Sequence, residues 1–316
     1  MISSSQNRLR EYLALNLAVF FWGLSFVATK IALESFSLFT LIFIRFGSAS
    51  CIFLIILAYR GFPKLSMKDH KKIFLIALFE PGLYFIFETS GLQHTTAPEA
   101  SLIIATVPVV VMVLAALFLG ERTRLIGLIG MGVSLVGILV LIMGDRDFKW
   151  ALGGHILGDL FIFGAVISAA LYIVNARSLG KKHSALDFTG LQIMYGAILY
   201  APAFFWELPG VEWSAISGRS IGAIIFLTIF STAGAFLCYN YALTKVPATK
   251  AAVFINGIPV ITAFGAWVLL GEKLTLMQVW GGVLVLLGVF LANRPGLKYS
   301  GRKTIDSPAR FPAIPG

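Results

Sequence analysis

The stretch Ala97–Arg122, APEASLIIATVPVVVMVLAALFLGER, decides how this chain must be read. From Ala100 to Gly120 it runs 21 residues without a charged side chain. At 1.5 Å of rise per residue, about 20 mostly apolar residues cross the hydrocarbon core of a bilayer. Its only side-chain hydroxyls are Ser101 and Thr106. Pro108 lacks a backbone N–H and predicts a kink, while Gly120 followed by Glu121 and Arg122 predicts a stop.

The same pattern returns 151 residues later, in the stretch Ala248–Lys273, ATKAAVFINGIPVITAFGAWVLLGEK. Pro108 meets Pro259, and Leu119-Gly120-Glu121 meets Leu270-Gly271-Glu272. Leu92, Ala97 and Ala100 meet Leu243, Ala248 and Ala251, and Gly130 and Gly137 meet Gly281 and Gly288. Earlier segments match more weakly, with Trp22–Phe26 falling near Ser168–Tyr172. Apolar helices resemble one another by composition, but a co-registered proline and a shared Leu-Gly-Glu ending point to an internal duplication.

The rest of the 316-residue chain agrees: 58% of it is hydrophobic, only 13% is charged, and the mean hydropathy is +0.88. Soluble domains carry about 25% charged residues, and a soluble chain could not hide this much apolar surface. The net charge of +10 could suggest nucleic acid, but no basic face interleaved with aromatics is present. In so apolar a chain, lysine and arginine mark the cytoplasmic side of a membrane. Cys51 and Cys238 both lie in apolar runs and offer neither a disulfide framework nor metal spacing.

Ten apolar spans can be placed, beginning near Tyr12, Phe36, Lys72, Ala97, Leu125, His155, Leu186, Ser220, Thr249 and Leu276. With both termini inside, Lys30, Arg146, Lys149, Arg219 and Lys273 fall outside and Arg45 falls within a span. The other nineteen of the 25 Lys and Arg fall inside, a bias that one missed span would scramble. The fold expected is all-α and integral to the membrane, ten transmembrane helices forming two five-helix repeats at residues 12–143 and 155–293. Five is odd, so the second repeat must enter the bilayer from the opposite face, the inverted plan of many secondary transporters. Residues 294–316, rich in Pro and Gly, are expected to form a disordered cytoplasmic tail.

Five plus five spans, Trp22-Gly23 in the first, Arg45 in the second, and Ala97…Pro108…Leu119-Gly120-Glu121 together resemble the drug/metabolite transporter superfamily, specifically EamA-type transporters. The resemblance covers roughly residues 12–293, and its most typical feature is the Leu-Gly-Glu ending of spans four and nine. It implies a plasma-membrane carrier, often an exporter of amino acids, metabolites or drugs. It also implies a central cavity between the repeats, lined by spans one, three, four, six, eight and nine.

Ionisable side chains inside a bilayer cost about 2.5–3.5 kcal/mol each and call for a reason. Span three holds Glu80 and Glu88, separated by Pro81-Gly82 and with Tyr84 one turn from each. Facing the cavity, the two carboxylates are candidates to bind solute or carry a proton; facing helices, they would pair with a buried partner. Arg45 can fork onto a solute carboxylate or lock helices together, and its place in the peripheral second span favours the lock. Glu99 and Lys250 occupy equivalent positions at opposite mouths, as gates or as solvated helix-end charges. Kinks at Pro108 and Pro259 would let Ser101, Thr106 and Asn256 line the cavity. Trp22, Tyr172, Asn175, Gln192, Tyr195, Tyr239 and Asn240 suit an aromatic or zwitterionic solute, or serve as packing and interface residues. Gly127, Gly130, Ser134 and Gly137 form a stripe for close helix packing.

No phosphate loop and no HExxH are present, and His70, His94, His155 and His183 are scattered. The chain is therefore read as a carrier and not an enzyme, with no cofactor and no metal. Its partners are the lipid bilayer and a small-molecule solute, not nucleic acid. A nucleotide-sugar or phosphorylated-metabolite carrier is the alternative, and it would call for several cavity cations. Monomer and homodimer both stay open.

Overall fold

The computed structural model describes residues 2–95, 97–121, 123–144, 156–179, 182–270 and 275–293. The expected tail, His155, the Gly271-Glu272 pair, and Arg122, Arg146, Lys149, Lys181 and Lys273 lie outside the described residues, as does the side chain of Glu99. Among the described residues the chain is helical throughout, with no strand. The helices are α1 (Ile2–Leu33), α2 (Leu38–Arg60), α3 (Met67–Ala77), α4 (Tyr84–His94), α5 (Ala97–Ile104), α6 (Val107–Leu119) and α7 (Leu125–Met143). The second half adds α8 (Ile156–Leu179), α9 (Ala185–Glu207), α10 (Gly218–Phe226), α11 (Ala235–Leu243), α12 (Ala248–Val253), α13 (Ile258–Leu270) and α14 (Leu276–Asn293).

Among the described residues, nine segments are long and apolar enough to cross a membrane, and the shorter apolar helix Leu125–Leu141 makes a tenth. Leu117, Phe118, Trp206, Leu276 and many other large apolar side chains remain exposed on the outside of the bundle. Water would punish such a surface, whereas lipid tails do not. Ser66, Ser184 and Ser217 start α3, α9 and α10 by accepting the backbone N–H three residues on.

Among the described residues, six spans are single helices and four are broken, and the breaks come in pairs. Span three is α3 and α4 joined by a π-helical segment ending at Leu83; span eight is α10 and α11 joined by one ending at Gly234, 151 residues further on. Span four breaks at Ala105-Thr106, just before Pro108 in the first turn of α6. Span nine narrows to a 3-10 turn over Phe254–Gly257, just before Pro259. Proline in a helix interior removes one hydrogen bond and crowds the carbonyl a turn earlier, so the breaks in spans three, four and nine sit where their prolines put them, while span eight breaks without one.

Spans five and ten, α7 and α14, pack with their backbones in contact. A methyl group at Gly288 would fall 2.4 Å from the Ser134 nitrogen, and one at Gly130 would fall 2.4 Å from the Ala292 nitrogen. Gly137 and Gly281 are equally hemmed in, by Val285 and Leu141. The small-residue stripe on α7 thus meets a matching stripe on α14.

Candidate functional site

The middle of span three is built by failure of the helix at Pro81. Glu80 leaves helical geometry (φ −146°, ψ 116°), and the Glu80-Pro81 peptide is cis. Around the break, the carbonyls of Glu80, Pro81 and Gly82 lie inside the bundle and take side-chain donors, that of Pro81 also accepting the Tyr84 N–H. Gln192 Nε2 donates to the Glu80 carbonyl at 2.7 Å, and the Tyr200 hydroxyl donates to those of Pro81 and Gly82 at 2.6 and 2.5 Å. Both donors belong to α9, whose Gly196 lets Pro81 press in: a Cβ there would lie 2.1 Å from the proline Cγ.

The freed segment turns Glu80 into a cavity of about 30 Å³ shared with Glu88 and Tyr84. Its walls come from spans one (Trp22, Ser25, Phe26), three, four (Ile104, Val107), six (Tyr172, Ile173), eight (Tyr239) and nine (Ile255, Ile258). That volume holds a water or two and no organic solute, so the cavity is nearly closed. Glu80 and Glu88 are 5% and 2% exposed. The Glu88 carboxylate accepts from the Thr89 hydroxyl at 3.1 Å, whereas that of Glu80 accepts no hydrogen bond among the described residues. The Tyr239 hydroxyl, also buried, has no partner.

Arg45 stands behind this cavity and does not line it. Its Nε and a terminal nitrogen donate to the hydroxyls of Thr232 and Ser231, at 2.5 and 2.9 Å, in the π-helical segment of span eight. The guanidinium lies 4.4 Å from the centre of the Phe85 ring. Both carboxylates are within its electrostatic reach, but neither is ion-paired with it.

Several expected cavity residues lie elsewhere, each for a local reason. Tyr172 lines the cavity with its ring, but its hydroxyl donates away to Asn240 Oδ1 at 2.6 Å. Asn240 in turn donates to Thr189 and Gln192, so Gln192 and Asn240 form a buried network behind the wall. Asn256 reaches the opposite way, to Ser134 of α7 at 2.9 Å. Thr106 donates both its hydroxyl and its N–H to the Ile103 carbonyl at the break in span four, and Ser101 is buried outside the lining. Thr106 thus turns back onto its own break and Asn256 onto α7, and Ile104, Val107, Ile255 and Ile258 reach the cavity instead. Asn175 bonds back to Leu171, and Tyr195 meets His70 outside the cavity lining. Lys250 lies in the last turn of the short α12, also outside the lining.

Tyr200, Gly196, Ser231 and Thr232 support the site yet escaped the sequence reading. One signal was present: Gln192 and Tyr200, eight residues apart, fall on adjoining faces of one helix.

The Leu-Gly-Glu ending also has a structural reason. Gly120 adopts the left-handed conformation (φ 64°, ψ 17°) and caps α6, its N–H bonding the Ala115 carbonyl. The reversal sends Glu121 across to the other half of the molecule. There it accepts from the backbone N–H groups of Ala248 and Thr249 at 3.1 Å and from the Thr249 hydroxyl at 3.0 Å. Those groups open α12, where an anion is favoured by orphan donors and helix dipole together. Arg177, at the end of α8, lies 3.9 Å from the same carboxylate and donates to the Leu243 carbonyl at 2.6 Å.

The family profile described as the EamA-like transporter family matches residues 9–143 and 156–294. The chain belongs to the EamA-like transporter family. An uncharacterized transporter of Archaeoglobus fulgidus is 30% identical over 286 residues, covering 90% of this chain and 99% of that protein. The uncharacterized transporters YetK and YcxC of Bacillus subtilis are 25% and 28% identical, each over 90% of this chain and over 87% and 96% of their own length. A crystal structure of a protein superposes with a TM-score of 0.74 at 18% identity, over 89% of this chain and 97% of that one; at that identity it speaks for the fold alone. This EamA-like protein is thus a multi-pass membrane protein that transports a small solute.

Proposed function

We propose that this EamA-like protein is a secondary carrier that exports a small metabolite, an amino acid or a drug-like solute, across the plasma membrane by alternating access. One observation carries this reading: a nearly closed cavity with two buried carboxylates lies where the broken spans of both halves meet. Inverted repeats would give the inward-open and outward-open states similar energies, so that rocking exposes the cavity to each side in turn. Glu88, held only by Thr89, is the group through which protons would couple to the solute. Glu80 and Tyr84 would share the solute contact, and the kinks before Pro108 and Pro259 would flex. The phosphorylated-solute alternative calls for several cations: none lines this small cavity among the described residues, whereas Arg124, Lys245 and Lys250 line a separate pocket of about 1100 Å³ beside α7, α12 and α14.

The test is flux in proteoliposomes under an imposed pH gradient, with the solute chosen from a thermal-shift screen. Binding to the folded state raises apparent stability by mass action. Glu88→Gln should abolish accumulation driven by the pH gradient while leaving downhill exchange. A variant that still accumulates solute in response to the gradient removes Glu88 from the coupling role.

A further inference from the structure

The cavity wall has an unusual charge balance. It holds Glu80 and Glu88, and no Lys, Arg or His lines it among the described residues. Arg45 is the nearby counter-charge, yet its Nε and one terminal nitrogen donate to Thr232 and Ser231, and Phe85 lies against its face. Two carboxylates thus share one cation that reaches neither as an ion pair. Buried charge without a hydrogen-bonded partner is costly, and the carboxylate of Glu80, a residue 5% exposed, accepts no hydrogen bond among the described residues. The hydroxyl of Tyr239 is likewise orphaned.

The remaining wall is aromatic. Trp22 and Tyr239 have ring centres 4.9 Å apart, Tyr84 and Phe85 also 4.9 Å, and Tyr172 joins them from span six. Aromatic faces attract cations, most strongly where water is excluded, and rings gathered around a carboxylate are a general solution for holding an ammonium group. A zwitterion or an anion would bring a carboxylate into a wall without a cation.

From the unpartnered carboxylate inside an aromatic cage we infer that the solute is an organic monocation, an amine or quaternary ammonium with an apolar body. The inference rests on the carrier reading of this cavity and narrows it. Glu80 takes the charge, while Trp22, Tyr172 and Tyr239 enclose the apolar body. Because the cavity has only about 30 Å³ to offer, binding must open it.

The test uses the full chain in detergent and, in parallel, in proteoliposomes. Calorimetry compares trimethyl(2-phenylethyl)ammonium with 2-phenylethanol, 4-phenylbutanoate and phenylalanine. The ammonium should bind about tenfold or more tighter than the other three, and Glu80→Gln should erase that preference. Should Glu80→Gln fail to fold, Glu88→Gln and the solute series on the native chain still decide. An ammonium that binds no tighter than the alcohol, or less tightly than the butanoate or phenylalanine, overturns the assignment. Flux separates the two ideas. Ammonium binding without flux keeps the solute class and removes the carrier; flux of the butanoate or phenylalanine without ammonium binding does the reverse.

Discussion

Glu121 shows how one side chain can join two halves of a protein. Three donors of span nine converge on its carboxylate, and hydrogen bonds to a charged group are worth about 1.5–3 kcal/mol each before the desolvation of that group is counted. Glu121→Gln should keep the shape but lose the charge that the α12 N-terminus favours, lowering stability by about 1 kcal/mol, and Glu121→Ala should lose roughly 2–3 kcal/mol. Thermal unfolding in detergent reads both. The effect of Glu121→Ala should be non-additive with Thr249→Val, because one bond is removed by either. Fully additive losses would mean that the contact does not hold the halves together. At this scale the sequence was partly legible. Glu80, Glu88, Tyr84, Trp22 and Tyr239 stood out, because ionisable and amphipathic groups inside a span need a reason. Tyr200 did not, since a tyrosine in an apolar run looks the same whether it packs or donates. Asn256 misled because its amide could point to either side of a kinked span, and contact with Ser134 decided which.

Elements carry the breaks on which the site depends. Pro81 announces the break in span three, but span eight breaks at the matching register without any proline. What marks that segment is tertiary: the hydroxyls of Ser231 and Thr232 accept from the buried Arg45 of α2, a contact that local sequence does not display. The opposite wall of the break is Gly196. With a Cβ only 2.1 Å from the Pro81 ring, Gly196→Ala should displace α9 or the break, costing about 1–3 kcal/mol and disturbing the donors Gln192 and Tyr200. Gly210→Ala, with nothing within 4 Å, is the matched control and should unfold like the native chain. Equal melting temperatures for the two variants would show that α9 does not brace the break.

Across the whole molecule, span count and fold class were the most legible features, because a bilayer imposes length and composition on every crossing segment. The bias of nineteen inside charges over five outside depends on ten crossings with both ends of the chain on the cytoplasmic face. A topology reporter fused at Gly210 should therefore report the external side and one at the C-terminus the cytoplasm. Agreement between the two would overturn the count. Less legible was how nearly closed the cavity is, since closure depends on how ten helices lean together and not on any one of them.

The seam between α7 and α14 has a mechanical consequence. Backbones this close, locked glycine against chain at Gly130, Gly137, Gly281 and Gly288, leave no slack for sliding. Spans five and ten also contribute nothing to the cavity wall. If the proposed rocking holds, they are its axle: the part that would stay still while the four jointed spans swing, and the place where one added methyl group could seize the carrier without ever touching its cargo.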